Sequence, residues 1–459
     1  MSERPENVLL IMSDEHRPDA LGCTGHRIVE TPTLDALATE GMRFTNAYCP
    51  SPLCAPCRAS FTTGQYVHEI GAWDNAASYD GEPESWGFHI QDHGVDVTTV
   101  GKLDFQPGVQ GFPEQLESSF RDSPDVNGLY RDPPVVREDA RERITEARPT
   151  ENSGPHEAGD ERRVARAVEW LEDREDDGWL LSVNLVLPHF PLTAEQPYYD
   201  HYANVDDLPD DYPAADDHPI LEELRNHFDG RGLDEETLHR TRRAYYALCT
   251  RLDDLVERLL NTLKSEGFVD DTLVIYTSDH GEPLGDHETW WKCSMYDQSV
   301  GIPLIARGPG VESATVDAPV SLLDLVPTMA DALEVPHDSA WRGRSQWPVL
   351  RGICPPNEDR AVFSEYHAHG VSRGMFMLRQ GRYKYVHYPD NPDQLFDLEC
   401  DPEEVENLAD DPVYAPVRDR LESRLRERVD PSPDVIDERA RADQKRRREQ
   451  PVETWWGNE

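Results

Sequence analysis

The sequence predicts an α/β protein in which helices flank a mostly parallel sheet. Three apolar runs, Asn7–Met12, Leu180–Leu187 and Leu273–Ser278, are typical of strands that are buried on both faces. Helical segments lie between them, and in one of these segments apolar residues recur every three or four positions from Tyr245 to Leu263. Alternation of strands and helices is the pattern of a parallel sheet covered by helices.

The chain has 459 residues, enough for a large core and a second domain. We predict a main domain over residues 1–355 and a smaller C-terminal domain over 356–430. The pattern changes in this second region to antiparallel strands, including a hairpin at Met375–Tyr388, and a helix at Ala415–Val429. Residues 431–459 are rich in charge and are predicted to form a C-terminal tail.

Some segments fall outside this alternating pattern. Residues 107–160 are rich in Pro, Asp, Glu and Arg, which predicts an insertion or a long loop that borders the site, and Asp206–Asp217 is similar. Trp455 and Trp456 lie near the end of the charged tail and could cover the active site or an oligomer interface, but we expect them to pack against the body of the protein.

The chain is strongly acidic, with a net charge of −45 and a pI of about 4.6. The acids are spread over every segment, so they define no patch for a basic partner, and nucleic acid is not expected to bind. We interpret the charge as an adaptation to molar salt, in which the Debye length falls to about 3 Å and self-repulsion is screened.

The N-terminal residues Met1–Glu6 lead directly into the first apolar strand, without the features of a signal peptide. No run of about 18 apolar residues occurs, so the sequence predicts no membrane span. We therefore expect a cytoplasmic protein in which most of the eight cysteines are reduced.

The segment Cys54-Ala55-Pro56-Cys57-Arg58 carries two possible functions. As a Cys-x-x-Cys motif, it could be a redox dithiol or half of a zinc site. A four-cysteine zinc site needs a second such pair, and the remaining cysteines are scattered singly. The second possibility depends on the order Cys-x-Pro-x-Arg, which is the modification signal of a hydrolase family. These five residues alone leave both possibilities open.

Acidic residues follow two of the predicted strands. Asp14 and Glu15 come after the first strand, and Asp279 and His280 follow Leu273–Ser278. Because the carboxyl ends of parallel strands meet at one edge of a sheet, we expect these side chains to converge. Carboxylates with a neutral imidazole suit a hard divalent cation such as Ca²⁺ or Mg²⁺.

Lysine is rare in this chain, and two lysines stand out. Five of the 45 basic residues are lysines, and one of them follows Gly101 while another follows Trp291. In a chain that uses arginine almost everywhere, Lys102 and Lys292 are therefore candidates for a specific role.

Together these segments resemble the type I sulfatase family of the alkaline phosphatase superfamily, over nearly the whole chain. The segments that carry the resemblance are Asp14-Glu15, Cys54 to Arg58, Gly101-Lys102, Pro188-His189-Phe190-Pro191, Asp279 to Glu282, Lys292, Ser321 to Thr328 and Gln394 to Leu398. The resemblance implies an alkaline-phosphatase-like fold. It also implies that a maturation enzyme oxidises Cys54 to formylglycine, whose hydrated aldehyde supplies the attacking oxygen.

The resemblance further implies roles for individual residues. Asp14, Glu15, Asp279, His280 and the modified Cys54 would hold a divalent metal, with Ca²⁺ favoured and Mg²⁺ possible. Arg58 would orient the modified residue. Lys102, His189 and Lys292 would bind the sulfate group, and His189 or Lys292 would protonate the leaving oxygen. Asp104 replaces a histidine that is usual in the family, so it would orient a lysine or contact substrate.

The substrate is predicted from local similarities within the family. Gly101-Lys102-Leu103-Asp104 and Lys292 to Tyr296 resemble the arylsulfatase K group, whereas Ala47 to Ala55 also resembles choline sulfatases. Because choline sulfatases keep the usual histidine, a small or oligosaccharide sulfate ester of a 2-sulfated uronate type is favoured over choline sulfate. A metal-dependent phosphate or phosphonate ester hydrolase and a non-catalytic binder remain alternatives, and an oligomer is possible.

Overall fold

The computed structural model describes residues 4–119, 125, 129–131, 133–202 and 216–450. Its strands are β1 Asn7–Asp14, β2 Met42–Tyr48, β3 Asp96–Lys102, β4 Glu114–Ser119, β5 Arg148–Thr150, β6 Trp179–Pro188, β7 Thr193–Glu195, β8 Thr272–Ser278, β9 Gly301–Arg307, β10 Ala314–Val316, β11 Val320–Ser321, β12 Ala361–Tyr366, β13 Met375–Gln380, β14 Tyr383–His387 and β15 Gln394–Asp397.

The helices of this part of the chain follow in the same order. They are α1 Pro32–Glu40, α2 Cys54–Thr63, α3 Val67–Ile70, α4 Trp86–Asp92, α5 Ala140–Thr145, α6 Pro155–Glu172, α7 Gln196–His201, α8 Pro219–Phe228, α9 Glu235–Ser265, α10 Asp297–Val300, α11 Leu325–Ala332, α12 Trp347–Leu350, α13 Ala415–Arg428 and α14 Pro433–Arg448.

The main sheet confirms the predicted α/β class. Its nine strands lie in the order β10-β2-β9-β8-β1-β6-β3-β4, with β11 also paired to β2. Every pairing is parallel except those of β9, which runs against both β8 and β2. Helices α6 and α9 pack on β6, and α4 packs on β3. The sheet is therefore mostly parallel and covered by helices, as in alkaline-phosphatase-like folds.

The register of the central strands brings three chain segments to one edge of the sheet. All eight residues of β1 are buried, and so are those of β6 and β8. Within this apolar centre, Ser13 pairs with Ser278 and Asp14 pairs with Pro188. Consequently β1, β6 and β8 end side by side, and the residues that follow them lie together at the carboxyl edge, where open α/β sheets place their sites.

A smaller sheet confirms the predicted C-terminal antiparallel unit. Strands β12 to β15 pair in sequence order, and α13 packs against β13 and β14. Its apolar cluster includes Phe363 and Phe376 together with Tyr66, Trp73 and Leu323 of the main domain. The two parts therefore share a core, and the domain limits at 355 and 430 stay predictions.

The predicted charged tail contains a packed helix. In α14, Ile436 and Ala440 are fully buried, and Gln444 is only 3 % exposed. Because apolar residues are few in this helix, the sequence pattern gave little sign of its buried face. Trp455 and Trp456 lie outside the described residues.

The prediction of a long loop over residues 107–160 was wrong in part, because regular elements lie within this range. Strand β4 forms an edge of the main sheet beside β3, and α5, β5 and the start of α6 follow. An edge strand is covered on fewer sides, so Glu114–Ser119 does not need the apolar run that marks a central strand. The described part of the chain contains no helix that is long and apolar enough to cross a membrane.

Candidate active site

Cys54 lies at the first position of α2, where the extended Leu53 ends and the helix begins. Every residue of this helix is buried, and Cys54 is 2 % exposed. The Ala55 N–H, which belongs to the first turn and has no partner within the helix, donates to Oδ1 of Asn75 at 3.2 Å. The start of α2 is thus fixed by a side chain from a neighbouring loop.

Four side chains converge at this helix start. The ligand atoms of Asp14, Cys54, Asp279 and His280 all lie within 4.8 Å of one another, and all four residues are buried. Cys54 Sγ is 3.2 Å from His280 Nε2 and 3.7 Å from Asp14 Oδ1. The convergence of both strand ends, which the sequence predicted, is therefore present in the structure.

This cluster fits a divalent cation on its own chemistry. Two buried carboxylates supply hard oxygen ligands of the kind that Ca²⁺ and Mg²⁺ prefer. Nδ1 of His280 lies 3.0 Å from the carbonyl oxygen of Gly281, which fixes the ring and directs Nε2 at the other three groups. Two carboxylates and one directed ring nitrogen therefore form a donor set that suits such a cation.

Arg58, one turn along α2 from Cys54, holds the cluster by hydrogen bonds. Its Nε donates to Asp279 Oδ2 at 2.8 Å, and its Nη1 donates to the carbonyl oxygen of Lys102 at 2.7 Å. A weaker contact at 3.5 Å reaches Asp14 Oδ2. Burial by itself raises the pKa of Asp14, but Lys102, His189 and Arg58 outweigh it and hold that pKa well below its usual value. Asp14 is therefore ionised and ready to bind a cation.

Lys102 ends β3 and reaches the cluster from a second side. Its Nζ contacts Asp14 directly and lies 3.4 Å from Asp104 Oδ2. Gly101 makes this approach possible, because its φ is +98° and an added Cβ would lie 2.1 Å from the carbonyl oxygen of Asn184. Asp104 itself has a φ of +59°, a left-handed conformation that aspartate tolerates better than most residues. Its carboxylate is thus held against Lys102.

Lys292 and His189 both contact Glu15. Lys292 Nζ lies 3.1 Å from Glu15 Oε2, and His189 Nε2 lies 3.3 Å from the same oxygen. Three consecutive residues, Trp291 to Cys293, adopt left-handed φ values of +62° to +66°. Such conformations are costly outside glycine and concentrate at functional sites, because the surrounding fold must hold them.

Glu15 is placed differently from the other predicted metal ligands. It groups with Asp14 and His189 rather than with Asp279 and His280. Burial raises the pKa of Glu15 well above its usual value, and Glu282 adds to this, although Lys292 opposes it. Its role as a ligand therefore stays a prediction, as do the catalytic roles of the other site residues.

The cysteine pair does not have the character of a redox dithiol. Burial, with the charge of Asp14, raises the pKa of the Cys54 thiol to about 12, and burial with Cys49 raises that of Cys57. Reactive dithiols need the opposite shift, which favours the thiolate. The two sulfurs also face different partners, since Cys57 Sγ donates to the carbonyl oxygen of Asp279 at 2.9 Å. All eight cysteines are free.

Two residues of this site were not assigned roles from the sequence. Asn75 holds the first turn of α2 through its side-chain oxygen. Glu282 Oε1 accepts from the N–H groups of Leu284 and Trp291, and so shapes the loop that carries Lys292. Both act through the backbone of another residue, which sequence spacing cannot reveal.

Comparison with known proteins agrees with this geometry. The sulfatase family profile matches residues 6–335, and a profile for the C-terminal part of N-sulphoglucosamine sulphohydrolase matches residues 285–430. A choline-sulfatase of Rhizobium meliloti (strain 1021) is 32 % identical over 443 residues, covering 90 % of this chain and 84 % of its own. Arylsulfatase K of Bos taurus is 29 % identical over 459 residues, covering 92 % of this chain and 81 % of its own.

Among solved structures, the phosphonate monoester hydrolase of Agrobacterium radiobacter superposes with a TM-score of 0.75 at 27 % identity. The match covers 93 % of this chain and 96 % of that one. The mostly parallel sheet, the small antiparallel unit and the cluster at the start of α2 are thus found in a chain that is related over its length to sulfatases. The protein belongs to the type I sulfatase family of the alkaline phosphatase superfamily and is a sulfuric ester hydrolase.

Proposed function

We propose that this protein hydrolyses the sulfate monoester of a sugar acid of the 2-sulfated uronate type, using a formylglycine made from Cys54 by a maturation enzyme. The observation that carries this proposal is the position of Cys54. It is buried at a helix start, touches Asp14 and His280, and is close enough to Lys102 and Lys292 for both charges to act on its thiol. The names of the relatives, choline-sulfatase and arylsulfatase K, support sulfate esters as the substrate class.

Asp14, Asp279 and His280 are the residues that would hold the metal, and we propose Ca²⁺ because carboxylate oxygens dominate this set. When bound, the cation supplies Lewis acidity and the formylglycine supplies a hydroxyl nucleophile. The Cys54 Sγ stands where the oxygen of that modified residue would lie. Arg58 keeps both carboxylates in place through its contacts with Asp279 and Asp14.

The remaining residues act on the sulfate ester itself. Lys102 contacts Asp14 and Lys292 contacts Glu15, so both ammonium groups lie at the cluster, where they bind sulfate oxygens and offset charge that develops there. His189 joins Lys292 on the side of Glu15. The leaving oxygen takes a proton from His189 or Lys292, and Asp104 orients Lys102. Water and the ester yield the free sugar hydroxyl and inorganic sulfate.

Mass spectrometry of the peptide across Cys54, on protein from its natural host, tests the modification. We expect the mass of the aldehyde or its hydrate. Turnover of 4-nitrophenyl sulfate before and after treatment with a chelator, and after Ca²⁺ or Mg²⁺ is restored, tests the metal. A fully unmodified thiol in protein that still cleaves sulfate esters would contradict the formylglycine mechanism.

A second candidate function is phosphonate monoester hydrolysis. The likeness to the hydrolase from Agrobacterium radiobacter favours it, and two lysines beside a metal cluster suit either tetrahedral anion. Measuring kcat/KM for a sulfate and a phosphonate monoester of the same alcohol separates the two candidates. A higher kcat/KM for the phosphonate would replace the sulfatase proposal.

A further inference from the structure

Trp291, the residue before Lys292, has both faces of its ring covered. Phe190 stacks on it with ring centroids 4.0 Å apart. The guanidinium carbon of Arg143 lies over the same ring, 4.1 Å from its centroid. Two groups at this distance cannot share a face, so the indole is held between Phe190 and Arg143.

Arg143 is presented by a short helix, α5, that is fixed to its neighbours. Arg141 Nη1 donates to the carbonyl oxygens of Asp229 and Arg231, both at 2.9 Å. Ile144 is fully buried, and its carbonyl oxygen accepts from Thr241 Oγ1 of α9 at 3.2 Å. The position of Arg143 is therefore set by the fold, and its side chain keeps 27 % of its surface exposed.

The guanidinium of Arg143 has N–H groups without a hydrogen-bond acceptor in the described part of the chain. In the described part of the chain its ion pair is with Asp139 at 3.9 Å, which is longer than a hydrogen bond. Arg137 lies 6.0 Å from the Trp291 centroid and takes the closer contacts to the acids, at 3.1 Å to Asp139 and 3.4 Å to Asp125. Burial, together with Arg137, lowers the pKa of Arg143, as expected for an under-compensated cation.

We propose that Arg143, with Arg137 behind it, binds a carboxylate on the alcohol part of the substrate while Lys102 and Lys292 hold the sulfate group. The inference rests on the proposed sulfatase function and adds the residues that select the substrate. An arginine fork matches a carboxylate in two parallel hydrogen bonds, and stacking on Trp291 fixes its plane beforehand.

The same arrangement disfavours choline sulfate. A quaternary ammonium is recognised by the free face of an aromatic ring, and both faces of Trp291 are taken. One of them is taken by a cation, which would repel a second cation. A choline-sulfatase is among the relatives of this chain. The covered ring of Trp291 therefore distinguishes a sulfated sugar acid from choline sulfate, which sequence similarity alone does not do.

The test compares substrates that differ in one group. We expect Arg143→Gln to lower kcat/KM for glucuronate 2-sulfate about 10- to 100-fold, the range for losing a hydrogen bond to a charged group. The value for glucose 2-sulfate, which lacks the carboxylate, should stay within about twofold. Arg143→Lys keeps the charge but not the fork and should fall between. Arg162→Gln, an exposed arginine of α6, is the matched control and should change neither value. An equal loss of kcat/KM for both sugars in Arg143→Gln, or an unchanged kcat/KM for glucuronate 2-sulfate, would overturn the inference.

Binding to the Cys54→Ala variant keeps this test independent of turnover. By calorimetry, we expect glucuronate 2-sulfate to bind at least tenfold more tightly than glucose 2-sulfate, and Arg143→Gln in the same background to remove the difference. Failure of the unmutated protein to cleave any sulfate ester would contradict the proposed function alone. Equal binding of the two sugars by Cys54→Ala would overturn the role of Arg143.

Discussion

At the scale of single residues, the site depends on side chains that hold other side chains. Asp104 contacts Lys102, Asn75 contacts the backbone of Ala55, and Arg58 contacts Asp279. Left-handed backbone at Glu15, Asp104 and Lys292 aims these groups at one point. Since such conformations are costly, the site is maintained by the packing around it.

Asp104 offers a sharp test at this scale. We expect Asp104→Asn to lower kcat/KM for a sulfate ester about tenfold, because the ion pair that orients Lys102 is lost. Asparagine also tolerates the left-handed backbone at this position, so the melting temperature should change little. Lys102→Gln should lower kcat/KM further, by about 100-fold or more. An unchanged kcat/KM in Asp104→Asn would show that Asp104 does not act on Lys102.

At the scale of elements, the C-terminal part of the chain supports the start of α2. Gln444 of α14 donates to Asp74 Oδ2 at 2.8 Å and to the carbonyl oxygen of His367 at 2.7 Å. Asp74 Oδ1 in turn accepts from the N–H groups of Ala76 and Ala77. Asn75, in the middle of this loop, holds Ala55. A chain of contacts thus runs from α14 to the residue after Cys54.

Removing Gln444 tests this chain of contacts. We expect Gln444→Ala to lower the free energy of unfolding by about 1–3 kcal/mol, because buried hydrogen-bond partners are left unsatisfied. Amide hydrogen exchange should accelerate in the peptide that contains Leu53 to Cys57. The exposed Arg446→Ala, on the same helix, is the control and should change neither quantity. Faster exchange in both variants, or in neither, would contradict the proposed link.

A second pair of elements, α3 and β12, is joined by a buried ion pair. His68 Nδ1 lies 2.9 Å from Glu365 Oε1. Burial lowers the pKa of His68, but Glu365 outweighs it and raises that pKa above its usual value of 6.5. Burial raises the pKa of Glu365, but His68 and His367 outweigh it and lower that pKa from 4.5 to about 2. The stabilisation that the ion pair of His68 and Glu365 provides is therefore complete between about pH 4.5 and 6.5. It is lost as pH falls towards 2 or rises through the pKa of His68.

This pH dependence can be measured with Glu365→Gln. We expect the variant to be less stable than the wild type by about 3 kcal/mol near pH 5.5, the cost of breaking a buried pair. The difference should shrink above the raised pKa of His68, which urea unfolding between pH 5.5 and 9 would detect. Glu69→Gln removes a neighbouring, more exposed pair with Arg342 and should cost at most about 1 kcal/mol. A constant difference across this range would contradict the linkage.

At the scale of the whole molecule, the charge is distributed unevenly between surface and interior. The net charge is −45, yet Lys102, Lys292 and Lys384 are all buried. The other two lysines, Lys264 and Lys445, are exposed. The site therefore places the buried ammonium groups of Lys102 and Lys292 beneath an acidic surface, so an anionic substrate is repelled at a distance and meets these two groups on arrival.

Salt should act on both stability and binding. We expect the melting temperature to rise by several degrees between 0.1 and 2 M KCl, because surface repulsion is screened. Over the same range KM for a sulfate ester should fall, whereas the inhibition constant of an uncharged competitive inhibitor should stay constant. Sucrose at matched osmolality is the control, since it leaves the charges unscreened. A melting temperature that falls or stays constant in KCl would contradict adaptation to high salt.

The sequence by itself determined the class of fold, the family and the convergence of the strand ends. Continuous apolar runs of this length are typical of strands buried on both faces, and parallel strands bring Asp14 and Asp279 to one edge of the sheet. The tertiary structure alone decided which neighbours each group meets. Glu15 turns towards Lys292, and Arg143 lies on Trp291, because left-handed backbone and packing between distant segments set these directions. Such contacts leave no periodic signal along the chain.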